Sequence, residues 1–194
     1  MTLRLFFARW GLFAICVLTA PAALAAEDDA TWALLKQRGH VLLLRHSNAP
    51  GSTPEPYGIN LRDCSIQRGL DDGGRAQARR IGDAFRKHGI KSVRLYSSQF
   101  CRALETAKLT DLGPVRELPA LNQVFLADLG RLGEASAKVK AFMKALPAKQ
   151  LTMLVSHVSN IQGITGVELS SGEIVVVHLD KTGDVAVDGR IKVP

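Results

Sequence analysis

The sequence predicts an α/β protein, a three-layer sandwich in which helices cover both faces of a mostly parallel central sheet. Short apolar runs alternate along the chain with segments of helical periodicity, an order typical of parallel strands joined by helices. Near the carboxyl end, two β-rich runs in residues 173–190 instead flank the turn signal Lys181-Thr182-Gly183-Asp184. That tail is expected to form a hairpin that closes one edge of the sheet.

The elements before the tail can be assigned in order from the amino end. Residues 31–37 indicate a short helix that stops at Gly39, and the apolar run 41–44 indicates a buried strand. Residues 47–60 are rich in proline, glycine and serine, so they are expected to form a loop. Residues 75–89 carry apolar side chains on one helical face and end in a glycine, which predicts a long helix.

Further strands and helices follow by the same criteria, and they fit one domain. They are a strand at 93–98, a helix at 101–109, a weak strand at 115–118, a helix at 133–145 and a strong strand at 151–157. The chain shows no internal repeat, linker or low-complexity segment. Residues 26–194 are therefore expected to form a single domain.

The first 25 residues have the pattern of a cleavable secretory signal. Arg4 and Arg9 precede an apolar core at residues 10–20, and Ala23-Leu24-Ala25 has the small-residue spacing of a cleavage site. The alternative is a retained membrane anchor, but this core is short against the roughly 20 residues that a spanning helix needs. The protein is therefore expected to be secreted, with no stable membrane insertion after cleavage at residue 25.

Charge and cysteine content limit the classes of partner. The formal net charge of +7 falls to +5 when the signal and its two arginines are removed, an excess that suits an anionic ligand. The basic residues are scattered among acids and aromatic residues are few, so nucleic-acid binding is not expected. Cleavage leaves Cys64 and Cys101, which can pair in an oxidising compartment if their Cα atoms lie close enough, and otherwise stay free.

Three predicted strands end in residues suited to phosphate chemistry. Arg45 and His46 follow the first strand, two serines lead into Arg102 after the second, and His157 ends the strong strand. Because the carboxyl ends of parallel strands share one edge of a sheet, these side chains are expected to converge in one crevice. Two imidazoles and two guanidiniums there would form a strongly positive pocket of the size of a phosphate dianion.

These residue types support phosphoryl transfer. A neutral imidazole is a competent nucleophile near neutral pH, and its phosphoramidate is labile enough for water to remove the phosphoryl group. Arg45 and Arg102 can hold the nonbridging oxygens, and His157 can donate a further hydrogen bond to them. Two histidines also raise the option of a metal site, but no third ligand stands at a suitable spacing, so no metal is expected.

The same motifs resemble the histidine phosphatase superfamily, also called phosphoglycerate mutase-like. LLLRHS is similar to its strand and Arg-His-Gly motif, YSSQFCRALETA to its Ser-Ser-x-x-x-Arg-Ala-x-x-Thr-Ala segment, and LVSH to its second-histidine motif. The resemblance implies a phosphoglycerate mutase-like fold, no metal or organic cofactor, and His46 as a nucleophile that becomes phosphohistidine. It also implies that Arg45 and Arg102 bind phosphate and that His157 completes the pocket.

The sequence departs from that family at positions that matter for catalysis. Ser47 stands where the family has glycine, and its hydroxyl is expected to adjust the turn or to contact the phosphate. Gln123 takes the place of a mutase-type glutamate, and Val158 follows His157 where acid phosphatases carry an acid. The proton donor therefore stays open. The candidate carboxyls, each of which is also explained as a surface charge or a cap, are Asp63, Glu105, Asp128, Glu168 and Glu173.

Together these features favour a phosphoric monoester hydrolase that acts on a small phosphorylated substrate. The signal, the length and the tail VVVHLDKTGDVAVDGR resemble small periplasmic members related to the lipopolysaccharide core heptose phosphatase, which implies a periplasmic location and an envelope phosphosugar substrate. The alternative is a catalytically impaired phosphate or phosphosugar binding protein, because Gln123 cannot give a proton. Mutase activity ranks behind both, since it requires the missing glutamate.

Overall fold

The computed structural model describes residues 30–51, 55, 58–125 and 127–194. The expected signal, residues 1–25, lies outside this part of the chain. Among the helices described, none combines the length and the apolar character needed to cross a membrane.

A six-stranded sheet forms the centre of the fold. Its strands are β1 (Val41–Arg45), β2 (Arg94–Ser97), β3 (Val115–Glu117), β4 (Thr152–Ser156), β5 (Glu173–Leu179) and β6 (Val185–Lys192). They lie in the order β3-β2-β4-β1-β5-β6, with β1 to β4 parallel, β5 antiparallel to β1, and β6 antiparallel to β5. The predicted mostly parallel sheet is confirmed, and the terminal hairpin closes one edge.

Helices cover both faces of this sheet. They are α1 (Asp72–Lys87), α2 (Cys101–Thr110), α3 (Leu129–Lys144) and α4 (Val158–Thr165), together with 3-10 helices at Cys64–Ile66 and Pro119–Leu121 and a helical turn at residues 30–34. Successive strand side chains point to opposite faces. Leu42 therefore packs with Phe85 of α1, while Leu43 packs with Val139 of α3 and Ile161 of α4. These two cores give the predicted three layers.

Capping residues decide where α1 and α3 begin, and both start earlier than the periodicity indicated. Asp71 accepts a hydrogen bond from the Gly74 N–H at 2.6 Å, so α1 starts at Asp72. Asp128 accepts one from the Arg131 N–H at 3.1 Å, so α3 starts at Leu129. The sequence analysis assigned no helix to α4, whose eight residues include the weak helix formers valine, isoleucine and glycine.

A close approach at Gly74 fixes the first turn of α1 against the loop that leaves β1. A Cβ atom at this position would lie 2.0 Å from the Asn48 carbonyl oxygen. Because no side chain fits there, glycine is required, and α1 holds the backbone two residues beyond His46 in place.

Candidate active site

The carboxyl ends of β1, β4 and β2 lie side by side and bring two histidines together. The His46 N–H donates to the Ser156 carbonyl oxygen at 3.0 Å, and the Ser98 N–H donates to that of Val155 at 2.9 Å. These bonds extend the parallel ladders past the strand ends. The rings of His46 and His157 lie 5.3 Å apart at their centroids, so the crevice expected from the sequence is present.

His46 is buried and held in one tautomer. Its Nδ1–H donates to the carbonyl oxygen of Ser47 at 2.8 Å, and the Nε2 lone pair faces the Nε–H of Arg102 at 3.3 Å. Burial first, and then the charges of Arg102 and Arg45, lower the pKa of His46 to about 3 against the Ser47 hydrogen bond, which raises it. The imidazole is therefore neutral near pH 7, with an unprotonated nitrogen that points into the pocket.

Arg102 is the centre of the pocket. It lies in the first turn of α2, is fully buried, and uses Nη1–H to bond Glu55 Oε1 at 2.7 Å. Its Nη2 group donates to Gln123 Oε1 and lies 3.5 Å from His157 Nδ1. Burial lowers the pKa of Arg102 to about 10 against the charge of Glu55, which raises it, so the guanidinium remains positive at neutral pH.

His157 belongs to a closed hydrogen-bond network. Its Nε2 lies 2.8 Å from Ser98 Oγ, which also accepts from the Phe100 N–H at 3.2 Å and donates to Asn122 Oδ1 at 3.2 Å. Arg102 can only donate, so His157 Nδ1 accepts and Nε2 carries the proton. Burial, and after it the neighbouring His46 and Arg102, lower the pKa of His157. A phosphate dianion beside Nδ1 would favour a second proton there, which would turn His157 into a donor to phosphate.

Arg45 lies at the rim of the pocket. Its Nη1–H donates to the Leu169 carbonyl oxygen at 2.6 Å, while its Nε is buried without a hydrogen-bond partner among the described residues. Burial lowers the pKa of Arg45, and the nearby charge of Glu168 opposes that shift. Arg45 therefore adds positive charge close to His46 and keeps an unpaired donor there.

Two charged residues that the sequence analysis did not select, Glu55 and Arg68, act on this pocket. Glu55 accepts from the Arg68 N–H at 3.0 Å as well as from Arg102, and its Oε2 is buried without a partner among the described residues. Burial raises the pKa of Glu55, but the Arg68 N–H and the charge of Arg102 outweigh it and place the pKa below its ordinary value. The Arg68 charge also lowers the pKa of His46. Glu55 was hidden in the predicted loop, which has no periodicity to single out one residue.

Two of the departures from the family motifs, Ser47 and Gln123, lie next to His46 and Arg102. The Ser47 N–H donates to Thr106 Oγ1 at 3.0 Å, and its own hydroxyl is buried without a partner in the described part of the chain. Gln123 contacts Arg102. An amide there gives Arg102 an oxygen acceptor but supplies no acidic proton.

The carboxyls proposed from sequence as proton donors have other partners. Asp63 and Asp128 cap helices. Glu105 lies 3.5 Å from Arg75, and Glu173 accepts from Arg190 at 2.8 Å. Glu168 acts on Arg45 through its charge. Among the described residues, Glu55 is the carboxylate that hydrogen-bonds Arg102.

A disulfide holds the amino end of α2 next to the pocket. Cys64 and Cys101 are bonded, with their Cα atoms 5.7 Å apart, within the range that bridging requires. The Cys101 N–H also donates to Gln67 Oε1 at 3.0 Å. Since Arg102 follows Cys101 directly, the bridge fixes the backbone that carries the central guanidinium.

A cavity of about 190 Å³ opens beside Arg102. Its lining mixes polar and apolar residues, which are Glu55, Gly58, Ile59, Leu61, Phe100, Asn122, Gln123 and Phe125. The volume lies below the roughly 300–1,000 Å³ typical of drug-sized ligands, so the cavity suits a small molecule.

The fold and the site define an α/β protein with a buried, neutral imidazole that faces a buried guanidinium. The sequence profile of the histidine phosphatase superfamily (branch 1) matches residues 41–153, more than half of the chain. The protein therefore belongs to the histidine phosphatase superfamily. A search of curated protein sequences found no significant match.

Solved structures share this fold at low sequence identity. The protein histidine phosphatase SixA complexed with tungstate has a TM-score of 0.55 and 18% identity, and the match covers 79% of this chain and 96% of that one. A phosphoserine phosphatase mutant from Entamoeba histolytica in complex with phosphoserine gives 0.57 and 14%, covering 78% and 95%. A mycobacterial glucosyl-3-phosphoglycerate phosphatase gives 0.59 and 13%, covering 78% and 97%.

Proposed function

We propose that the protein is a phosphomonoesterase that hydrolyses a small phosphorylated substrate through a phosphohistidine on His46. This proposal rests on the orientation of His46. Its Nδ1–H donates to the Ser47 carbonyl oxygen at 2.8 Å, so that Nε2 faces Arg102. A binding protein would need the arginines but not a buried, neutral imidazole aimed at the same point. Membership of the superfamily and the phosphatase neighbours support this reaction class.

The reaction would proceed in two displacements. In the first, His46 Nε2 attacks phosphorus, the bond to the leaving oxygen breaks, and that oxygen takes a proton. In the second, water attacks phosphorus, the P–N bond breaks, and inorganic phosphate is released. Arg102 and Arg45 offset the charge on the nonbridging oxygens, and a doubly protonated His157 donates a hydrogen bond to them.

Glu55 is our candidate for the proton donor. It lines the same cavity as Gln123, and its Oε1 lies 2.7 Å from Arg102 Nη1. When a dianion binds Arg102, the carboxylate loses its stabilising partner and gains a negative neighbour, both of which raise the pKa of Glu55. Substrate binding would therefore load Glu55 with the proton that the leaving oxygen needs.

The substrate is proposed to be a small phosphate ester, with an envelope phosphosugar as the leading candidate. A cavity of about 190 Å³ beside Arg102 supports a small leaving group, and its mixed lining of Asn122, Gln123 and Phe125 suits a polar ring. Phosphohistidine, acyl phosphate and sugar 1-phosphate need less help from an acid than an alkyl phosphate does, so they are further candidate substrates.

Export to the periplasm is proposed from the amino-terminal signal pattern, with a mature chain of residues 26–194. The Cys64–Cys101 disulfide supports an oxidising compartment, because such bonds persist there and are rare in the cytosol. Cell fractionation and amino-terminal sequencing test this. A full-length chain in the cytosol would contradict it.

A phosphate or phosphosugar binding protein is the second candidate, favoured by Gln123 in place of the family's acid. One experiment separates the two. The purified protein is incubated with an aryl phosphate, with and without chelator, beside His46→Ala and the control His88→Gln. If the protein is the phosphomonoesterase, wild type and the control should hydrolyse the aryl phosphate with or without chelator, and His46→Ala should not. A phosphoryl group should be found on His46 after a rapid alkaline quench. Turnover by His46→Ala would exclude the mechanism, and tight phosphate binding without turnover would establish the binding protein.

A further inference from the structure

A second cluster of titratable side chains lies at the opposite end of the sheet from His46. It consists of His40, His178 and Asp188, whose ligand atoms all lie within 4.8 Å of one another. His40 precedes the first residue of β1 and His46 follows its last, so about 20 Å of strand separates the two. The cluster is therefore independent of the phosphate pocket and of the proposed function.

The sheet itself builds this cluster from three chain segments. His178 lies on β5, next to the extension of β1 that carries His40. In the β5–β6 ladder, Val176 pairs with Gly189 and Val177 with Val187, so Asp188 is the extra residue of a β-bulge. Bulges re-aim a side chain. This one brings the Asp188 carboxylate to the two imidazoles.

The distances lie close to those of a tetrahedral site. His40 Nε2 lies 3.5 Å from Asp188 Oδ2, and His178 Nδ1 lies 2.7 Å from the same oxygen. Ligands at about 2.0–2.1 Å from a tetrahedral metal lie roughly 3.3 Å from one another. The His40–Asp188 pair thus already fits, and the His178–Asp188 pair must open by about half an ångström, while the ligand nitrogens of the two imidazoles lie within 4.8 Å of each other. The side chains are 11%, 40% and 19% exposed for His40, His178 and Asp188, so the cluster is accessible from solvent.

A hydrogen-bonded histidine–aspartate pair explains only part of this arrangement. It accounts for His178 and Asp188, but it does not explain why His40 Nε2 also lies 3.5 Å from the same Asp188 oxygen. We propose that His40, His178 and Asp188 bind a divalent transition metal ion, with water in the fourth position. The proton on His178 Nδ1 moves to Nε2 on binding, so the imidazole stays neutral.

The donor set indicates the class of ion and its role. Two imidazoles and one carboxylate suit Zn²⁺ and neighbouring first-row metals rather than Ca²⁺ or Mg²⁺, which prefer oxygen ligands. The single negative charge of Asp188 offsets part of the ion's charge. Bound there, the metal joins the start of β1 to both strands of the terminal hairpin, and it stabilises that edge of the sheet without taking part in hydrolysis.

Zn²⁺ titration of the metal-free protein tests the site. Isothermal titration should show one Zn²⁺ per chain, and saturating Zn²⁺ should raise the Tm by about 5–10 °C. Binding should weaken at least tenfold in His40→Gln/His178→Gln and in Asp188→Asn. It should persist in the control His88→Gln and in His46→Gln, which disrupts the imidazole pair of the pocket. EDTA added to the Zn²⁺-loaded protein should lower the Tm but leave the turnover of aryl phosphate intact.

Loss of binding in His46→Gln, or its survival in His40→Gln/His178→Gln, would overturn the proposal, as would the absence of one tight site in wild type. A measurement on wild type keeps the test valid if the variants unfold. Zn²⁺ should protect His40 and His178 from diethylpyrocarbonate, mapped by peptide mass spectrometry, while His88 stays reactive. Equal labelling with and without Zn²⁺ would refute the site.

Discussion

Replacing Glu55 by glutamine is predicted to strengthen oxyanion binding. Glu55 Oε1 occupies a hydrogen-bonding position on Arg102 Nη1 that a phosphate oxygen would use, so a bound dianion meets a carboxylate unless Glu55 takes up a proton. The pKa of Glu55 lies below its ordinary 4.5, so protonating it at pH 7 costs at least about 3.4 kcal/mol. Glutamine keeps an oxygen for Arg102 and avoids that cost.

In wild type, attraction between the bound anion and Arg68 offsets part of the cost of protonating Glu55. We therefore expect Glu55→Gln to tighten sulfate binding by roughly 10- to 300-fold at pH 7. Sulfate inhibition of aryl phosphate hydrolysis at fixed ionic strength measures it, since sulfate stays a dianion. In wild type, binding should tighten by up to about tenfold per unit for each proton that Glu55 or His157 takes up as pH falls from 8 to 5, and in the variant only the part due to His157 should remain. Glu105→Gln is the matched control. Unchanged or weaker sulfate binding in Glu55→Gln would refute the reasoning.

The same variant tests Glu55 as the acid. Because aryl leaving groups need little protonation, Glu55→Gln should lower kcat by roughly 10²- to 10⁴-fold on an alkyl phosphate and far less on an aryl phosphate. Equal losses on both substrates would mean that Glu55 only positions Arg102.

Three further predictions follow from the site. Replacing Cys64 and Cys101 by serine should lower the free energy of unfolding by about 4 kcal/mol, given their separation of 37 residues, and a loss below about 1 kcal/mol in urea titration would contradict this. With the pKa of His46 at about 3, the pH profile of kcat/KM should show no acid limb near pH 6.5 from this group. The free energy of unfolding should fall as pH drops from 6.5 toward 3, because in that range only the unfolded imidazole binds a proton. Gln123→Glu should weaken sulfate binding about tenfold or more by adding a carboxylate next to Arg102, and unchanged inhibition would argue against their contact.

The features that the sequence predicts are those set by local pattern and strand order. Continuous apolar runs predicted β1 and β4, and parallel pairing placed His46 and His157 at one edge because their strands are neighbours in the sheet. The first residues of the helices were harder to predict, because single capping residues set them. The caps Asp71 and Asp128 start α1 and α3 earlier than hydrophobic periodicity indicates.

The residues that sequence reasoning missed depend on contacts distant along the chain. Glu55 meets Arg102 across 47 positions, from a loop whose prolines and glycines indicate irregular structure but no role for the glutamate between them. Asp188 reaches His178 only because a bulge shifts the register of β6. Neither a bulge nor a loop conformation leaves a periodic signal in the sequence, so the Glu55–Arg102 and Asp188–His178 contacts become evident only in the folded structure.

The charge balance of the pocket explains how a glutamine at position 123 is compatible with phosphate chemistry. A fully buried guanidinium requires acceptors for its N–H groups, and Glu55 and Gln123 supply oxygens to Arg102. With both imidazoles neutral, Arg45, Arg68 and Arg102 against Glu55 leave a net charge of +2, which matches a phosphate dianion. A second glutamate at position 123 would halve that charge. The amide therefore favours binding of the dianion, and in the proposed mechanism the acid is Glu55, which takes up a proton when the dianion displaces it from Arg102.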